Sequence, residues 1–203
     1  MFKKIDSQTL MAVGVLLVSF IALFISVRQT SIMGEQTRLL VEQNKASAWP
    51  YLEINLHRGF ERNENGKSEI ADYRIVITNK GTGPAIVEAV RVLYDGQPAR
   101  NWHSMYRIGN LPDSISSAHS NSSVMNKVIA TNEQVQMLKL SNNSELMRWV
   151  FERGDKITLE ICYRSVYDDH WIVRREGFRT NLEMTSSEKA EGCRVAPEDI
   201  FVE

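Results

Sequence analysis

Apolar positions run without a charge from Leu10 to Val27, LMAVGVLLVSFIALFISV. Eighteen residues at ~1.5 Å each make a helix of roughly 27 Å, close to the ~30 Å hydrocarbon core of a bilayer. No face of this helix is polar, whereas a core helix of the same length carries one. The run also exceeds the ~7–15 residue apolar segment of a signal peptide, and no small-x-small cleavage site follows it. The pattern therefore predicts an uncleaved transmembrane anchor spanning Leu10 to Val27.

Past Val27 the pattern turns polar but keeps a helical period. Residues 28–48 are rich in helix formers and lack proline, which predicts that the anchor continues as a stalk; Gly34 weakens it by about 1 kcal/mol relative to alanine. Ile25, Ile32 and Leu39 recur every seven residues, beside a row of Gln29, Gln36 and Gln43. Such a seam suits a self-associating stalk, and the small pair Ala22 and Ser26 leans the same way. A single solvated spacer helix fits the glutamine row equally well.

Trp49-Pro50 ends the helix, because proline disfavours helical geometry at the residue before it. From there the period becomes two. Leu52, Ile54 and Leu56 alternate with polar residues, and so do Tyr73, Ile75 and Ile77 after a turn containing Asn65-Gly66, which predicts a hairpin. Trp49 and Tyr51 are expected in core or hinge packing. A third strand is expected over Ile86 to Tyr94. The segments Arg100 to Ile108 and Ser123 to Ala130 suggest further strands, and Gln134 to Leu140 a strand or a helical turn. Asn142-x-x-Glu145 reads as a capping box opening one short helix through Glu152. Ile157, Leu159, Ile161 and Tyr163 then form the clearest strand, which turns at Asp168-Asp169 and returns through Trp171 and Val173.

The run Tyr73-Arg-Ile-Val-Ile-Thr-Asn-Lys-Gly-Thr-Gly-Pro-Ala resembles the second-strand corner of immunoglobulin-like sandwiches in bacterial surface and envelope proteins, cell-adhesion-related modules among them. The order of anchor, stalk, Trp-Pro-Tyr and strands is similar to that of uncharacterised bacterial single-pass membrane proteins. The resemblance implies a mainly β chain: an N-terminal transmembrane helix with a helical stalk, then an immunoglobulin-like antiparallel β-sandwich with one short helix. It implies no activity. The expected divisions are 1–27 for tail and anchor, 28–48 for the stalk, 49–175 for the sandwich and 176–203 for a polar C-terminal tail.

Composition narrows the partners. A net charge of −1, with basic residues scattered along the chain, offers no clustered surface for phosphates, so no nucleic-acid partner is expected. The expected partners are the lipid bilayer, a protein of unknown identity, and a second copy of the chain. Lys3 and Lys4 before the span balance Arg28 and Arg38 after it. The short N-terminal tail then favours an inside N-terminus and an extracytoplasmic domain on a bacterial inner membrane.

Candidate chemistry is sparse. Cys162 and Cys193 are too few for a zinc cage; in an oxidising compartment they could bridge, and two reduced thiols fit the sequence equally well. Asp168-Asp169-His170 with His57, His103 or His119 is a conceivable metal or acid-base cluster, but a solvated hairpin tip needs the same residues. The glycines Gly81 and Gly83 precede a strand rather than opening a helix, which makes them turn residues and not a phosphate cradle. No catalytic, cofactor or metal residue is therefore assigned. The expected function is a non-enzymatic interaction module at a membrane; the alternative is an anchored enzyme, such as a hydrolase, using residues around His103 and the Asp168 to His170 tip.

Overall fold

A computed structural model describes residues 7–62, 65–112, 115, 120–141, 143–179 and 185–202. Lys3, Lys4, His119 and the Asn142 of the expected capping box lie outside them. The chain divides into two compact units between Ala46 and Ser47.

The first unit is one helix, α1 (Ser7–Ser47), unbroken at Gly34. From Leu10 it is long and apolar enough to cross a membrane. Its hydroxyls answer to its own backbone. Ser19 Oγ donates to the Val15 carbonyl at 2.8 Å, Thr30 Oγ1 to Ser26 at 3.0 Å and Thr37 Oγ1 to Met33 at 2.8 Å. This i to i−4 bonding lets Ser19 sit in an apolar run without an unsatisfied donor. Further on, Arg38 bridges Glu35 at 3.0 Å and Glu42 at 3.4 Å along the helix surface.

The second unit is mainly β and antiparallel. Its strands are β1 (Leu52–Arg62), β2 (Ser68–Asn79), β3 (Ala85–Tyr94), β4 (Gln97–Ala99), β5 (Ser120–Asn121), β6 (Val128–Ile129), β7 (Gln134–Ser141), β8 (Ile157–Arg164), β9 (His170–Glu176) and β10 (Thr185–Ala190). Two short helices, α2 (Trp102–Ile108) and α3 (Ser144–Arg153), lie between β4 and β5 and between β7 and β8. One sheet has the order β1-β2-β7-β5, the other β10-β9-β8-β3-β4 with β6 also on β3. The alternating residues do what period two demands. Leu52, Ile54, Tyr73, Ile75 and Ile77 of one sheet join Val90, Val92, Leu159, Ile161 and Tyr163 of the other in a single buried core. Polar bonds stitch the sheets through it: the Leu52 amide donates to Tyr163 Oη at 3.3 Å, and Tyr73 Oη donates to the Phe178 carbonyl at 3.1 Å.

Two expectations need correction. Arg100 to Ile108 is no strand: Asn101 caps α2 reciprocally with Ser104, and Trp102, Met105 and Tyr106 share one buried face at helical spacing. Of core and hinge packing, Trp49 takes the second: it sits at the junction before β1, 44% exposed, with its ring 5.4 Å from that of Tyr51. The expected polar C-terminal tail, 176–203, carries a strand and a buried aromatic. Thr185–Ala190 pairs with β9, and Phe201 is buried edge-on against Trp102 at 5.0 Å. The Phe201 amide donates to the Val90 carbonyl at 2.8 Å and the Val202 amide to that of Arg100 at 2.7 Å, so the chain end fills the edge of β3 between β4 and β6. A strand held by backbone pairing and by polar side chains such as Thr185, Ser187 and Lys189, as TSSEKA is, leaves no apolar period to read.

Candidate functional site

On the β unit, a register shift between Gly59 and Phe60 interrupts the β1–β2 ladder. Such a bulge re-aims the side chain that follows it. Phe60 accordingly stands 54% exposed at the wall of a groove of about 320 Å³, lined by Phe60, Ser68, Glu69, Ile70, Arg148 and Phe151 among others. The opposite wall is α3, whose Leu146, Met147, Trp149 and Val150 are buried, leaving Arg148, Phe151 and Glu152 to the groove. The Arg58 guanidinium lies 6.0 Å from the Phe60 ring and 5.6 Å from that of Phe151, which joins the two aromatics by cation–π contacts. A neighbouring recess of about 310 Å³ shares Glu69, Ile70 and Ser144 and adds Glu61, Arg62 and Met147. The lining thus sets Phe60, Ile70 and Phe151 beside the charged Glu69, Arg148 and Glu152.

The outer face of the second sheet is different. Arg91, Glu160 and Arg174 occupy one rung across β3, β8 and β9, with contacts of 2.9 and 2.6 Å to the central carboxylate. On the next rung Cys162 is joined to Cys193 by a disulfide, which ties the chain after β10 across this face and buries Cys162 despite its place beside Glu160 and Arg164. Beyond it, Glu88 sits at another register shift in β3. Arg164 Nε donates to Glu88 Oε1 at 2.7 Å, and His170 Nε2 lies 3.3 Å from Glu88 Oε2.

The residues singled out from the sequence fall in separate places. Asp168, at φ 65°, forms the tip of the β8–β9 turn near Arg164 and His170, while Asp169 turns to Lys189 of β10 at 3.0 Å. His103 is exposed on α2, which packs on β4 and thus beside Val92 to Tyr94 of β3. His170 aligns, through Arg164, with Ile86 at the other end of that strand. Six or more residues at ~3.3 Å put the two histidines roughly 20 Å apart, so they do not converge. His57 is exposed on β1. Ile25, Ile32 and Leu39 are exposed on α1, about half their surface uncovered.

Gly81 and Gly83 have a structural task. A Cβ at Gly81 would overlap the Trp49 carbonyl and the Tyr51 amide, and one at Gly83 the backbone of Ala48. Only glycine lets this loop close on the incoming chain, where Trp49 accepts from the Thr82 amide at 2.8 Å. The groove was missed in the sequence because Phe60, Ile70 and Phe151 belong to no common period. Its one local signal is Gly59-Phe60, a glycine inside a strand pattern.

No family model matches this chain, and no curated protein matches it. Among solved structures it is similar to the archaeal flagellum of Methanospirillum hungatei strain JF1, with 8% identity over 85% of this chain and 93% of that one. The TM-score is 0.34, too low to carry an argument.

Proposed function

We propose that this chain is a single-pass bacterial inner-membrane protein that displays a non-enzymatic, immunoglobulin-like interaction module outside the cytoplasm. Support for the immunoglobulin-like reading comes from strand order: β1-β2-β7-β5 against β9-β8-β3-β4 follows the ABED and GFCC′ arrangement, with β10 added at one edge. Support for the compartment comes from the Cys162–Cys193 disulfide, a bond that persists where thiols are oxidised.

The observation that carries the interaction reading is the groove between the β1–β2 hairpin and α3. A groove with aromatic walls beside charged side chains is the form in which one protein holds an anchoring side chain of another. Phe60 and Phe151 are the residues on which the binding energy would centre. An enzyme would need its acid-base groups to meet in one cleft, and His103 and His170 stand at opposite ends of β3.

The test is in-membrane cross-linking and purification of the full chain in detergent, wild type against Phe60→Ala and Phe151→Ala. One protein other than the chain itself should be recovered with wild type and reduced about tenfold or more with either variant, the scale of a residue at the centre of an interface. Equal recovery from all three would refute the groove as the binding surface. Protease added after opening only the outer barrier should remove the β domain; protection until full lysis would reverse the orientation.

A further inference from the structure

We propose that reduction of the Cys162–Cys193 bond converts the outer sheet face into a binding site for a borderline-soft divalent cation of the zinc type. Its ligands are the two thiolates, the His170 imidazole and the Glu88 carboxylate. The ligand atoms of Glu88, His170 and Cys193 already lie within 4.8 Å of one another, and Cys162 Sγ is bonded to that of Cys193. A tetrahedral zinc with bonds of ~2.0–2.3 Å holds its ligand atoms roughly 3.3–3.8 Å apart, so Glu88, His170 and Cys193 need shifts on the order of 1 Å, and the two sulfurs must separate once their bond is reduced.

The frame suits such a closure. Glu88, Cys162 and His170 stand on three adjacent strands, β3, β8 and β9. Cys193 follows Gly192, whose φ of +150° belongs to a backbone that can readjust. Arg164 already holds Glu88 Oε1, leaving Oε2 as the oxygen turned toward His170. That is the second-shell bond that orients a ligating carboxylate. Two thiolates and a carboxylate supply three negative charges, which the divalent ion and the Arg164 guanidinium offset with three positive ones; Asp168, 3.7 Å from Arg164, adds one further negative charge beside the site.

The chemistry balances with an external dithiol as reductant. It gives two electrons and two protons to the Cys162–Cys193 bond, is itself oxidised to a disulfide, and leaves two thiols. Metal binding then displaces both thiol protons to solvent. Oxidised, the cluster offers the Glu88 carboxylate and the His170 imidazole; reduced, it gains the two soft thiolates. Disulfide and metal therefore exclude each other, and the metal pulls the pair toward its reduced form.

The test titrates cobalt(II), then zinc in competition, into the full chain in detergent, oxidised or reduced with a phosphine that is afterwards removed. Expected for the reduced protein are one equivalent bound, thiolate-to-cobalt charge-transfer absorption and tetrahedral ligand-field bands, all displaced by zinc. The oxidised protein should lack the charge-transfer band and bind at least about 100-fold more weakly. His170→Ala and Glu88→Gln should each weaken binding about 10–100-fold in the reduced state, and His103→Ala should leave it unchanged. Equal affinity in both redox states overturns the proposal. So does cobalt binding unaffected by His170→Ala and Glu88→Gln, which would mean two thiolates acting alone. Loss of the near-ultraviolet circular dichroism of the domain on reduction also overturns it, since no preformed frame would remain.

Discussion

The side-chain carbonyl of Asn79 accepts the backbone amide of Tyr51 at 3.2 Å, fixing the end of β2 to the residue just before β1. The same amide group is saturated on every side. It accepts from the Gly81 amide at 2.9 Å and donates to the carbonyls of Gly83 at 2.8 Å and Ile129 at 2.9 Å. Asn79 is fully buried, so each of these backbone groups would be left without water if the side chain were removed. Asn79→Ala should destabilise the β domain by about 3 kcal/mol or more, whereas Asn55→Ala, whose side chain donates to Glu53 at 3.2 Å on half-buried β1, should cost about 0.5 kcal/mol. Urea unfolding of both variants checks this, and similar midpoints would show that the network does not bear on stability.

The two faces of β8 should differ as sharply. Leu159 is 1% exposed and packs in the core, while Thr158 points to the outer face between Leu93 and Glu176. Leu159→Ala should cost about 2–5 kcal/mol and Thr158→Ala little. Thermal melts of the two variants side by side would expose a wrong register if the midpoints coincided.

Tyr163 gives the fold a weak point in alkali. Burial raises its pKa above the ordinary 10.0, against the lowering effect of hydrogen bonds with Ser187 and the Leu52 amide. The folded state thus holds its proton longer than the unfolded state. Between the unfolded and folded pKa values the unfolded chain binds fewer protons, so stability is full below about pH 10 and falls as pH rises beyond it. Tyr163→Phe should be less stable at neutral pH, having lost the Leu52 bond, but should lose less of its stability between about pH 9 and 11. Parallel pH slopes for wild type and variant would contradict the assignment.

What the sequence made legible follows from which interactions leave a period. Leu10 to Val27, the β1–β2 hairpin and the β8–β9 hairpin were readable because burial on one face imposes a repeat of apolar residues. The mainly β class followed from them. α2 was misread because its buried residues, Trp102, Met105 and Tyr106, are aromatic and bulky types also at home in strands, and its capping pair Asn101 and Ser104 is easily passed over. β10 and the placement of Phe201 depend on backbone pairing with distant strands, which composition does not record. The grouping of Glu88, His170 and Cys193 needs three strands and the chain after β10 to be in register, so no local spacing announced it.

The last expectation concerns α1. The helix is continuous through Gly34 to Ser47, so Ile25, Ile32 and Leu39 do lie along one side of a single rod. Ala22 and Ser26 are small residues one turn apart within the span, where close helix contact depends on packing more than on water exclusion. Gln36 and Gln43 flank the row and can hydrogen-bond across a helix pair, as polar seam residues do at some cost in burial. Val41 is nine residues past Ile32, roughly 180° around the helix at ~3.6 residues per turn, and so faces away. We expect the chain to dimerise through this side. Cross-linking of Ile32→Cys, Leu39→Cys and Val41→Cys in membranes, each with Cys162 and Cys193 replaced by serine, should give dimers at 32 and 39 and few at 41. Equal or absent cross-linking at all three would leave α1 a monomeric spacer, because a seam must distinguish its own face from the opposite one.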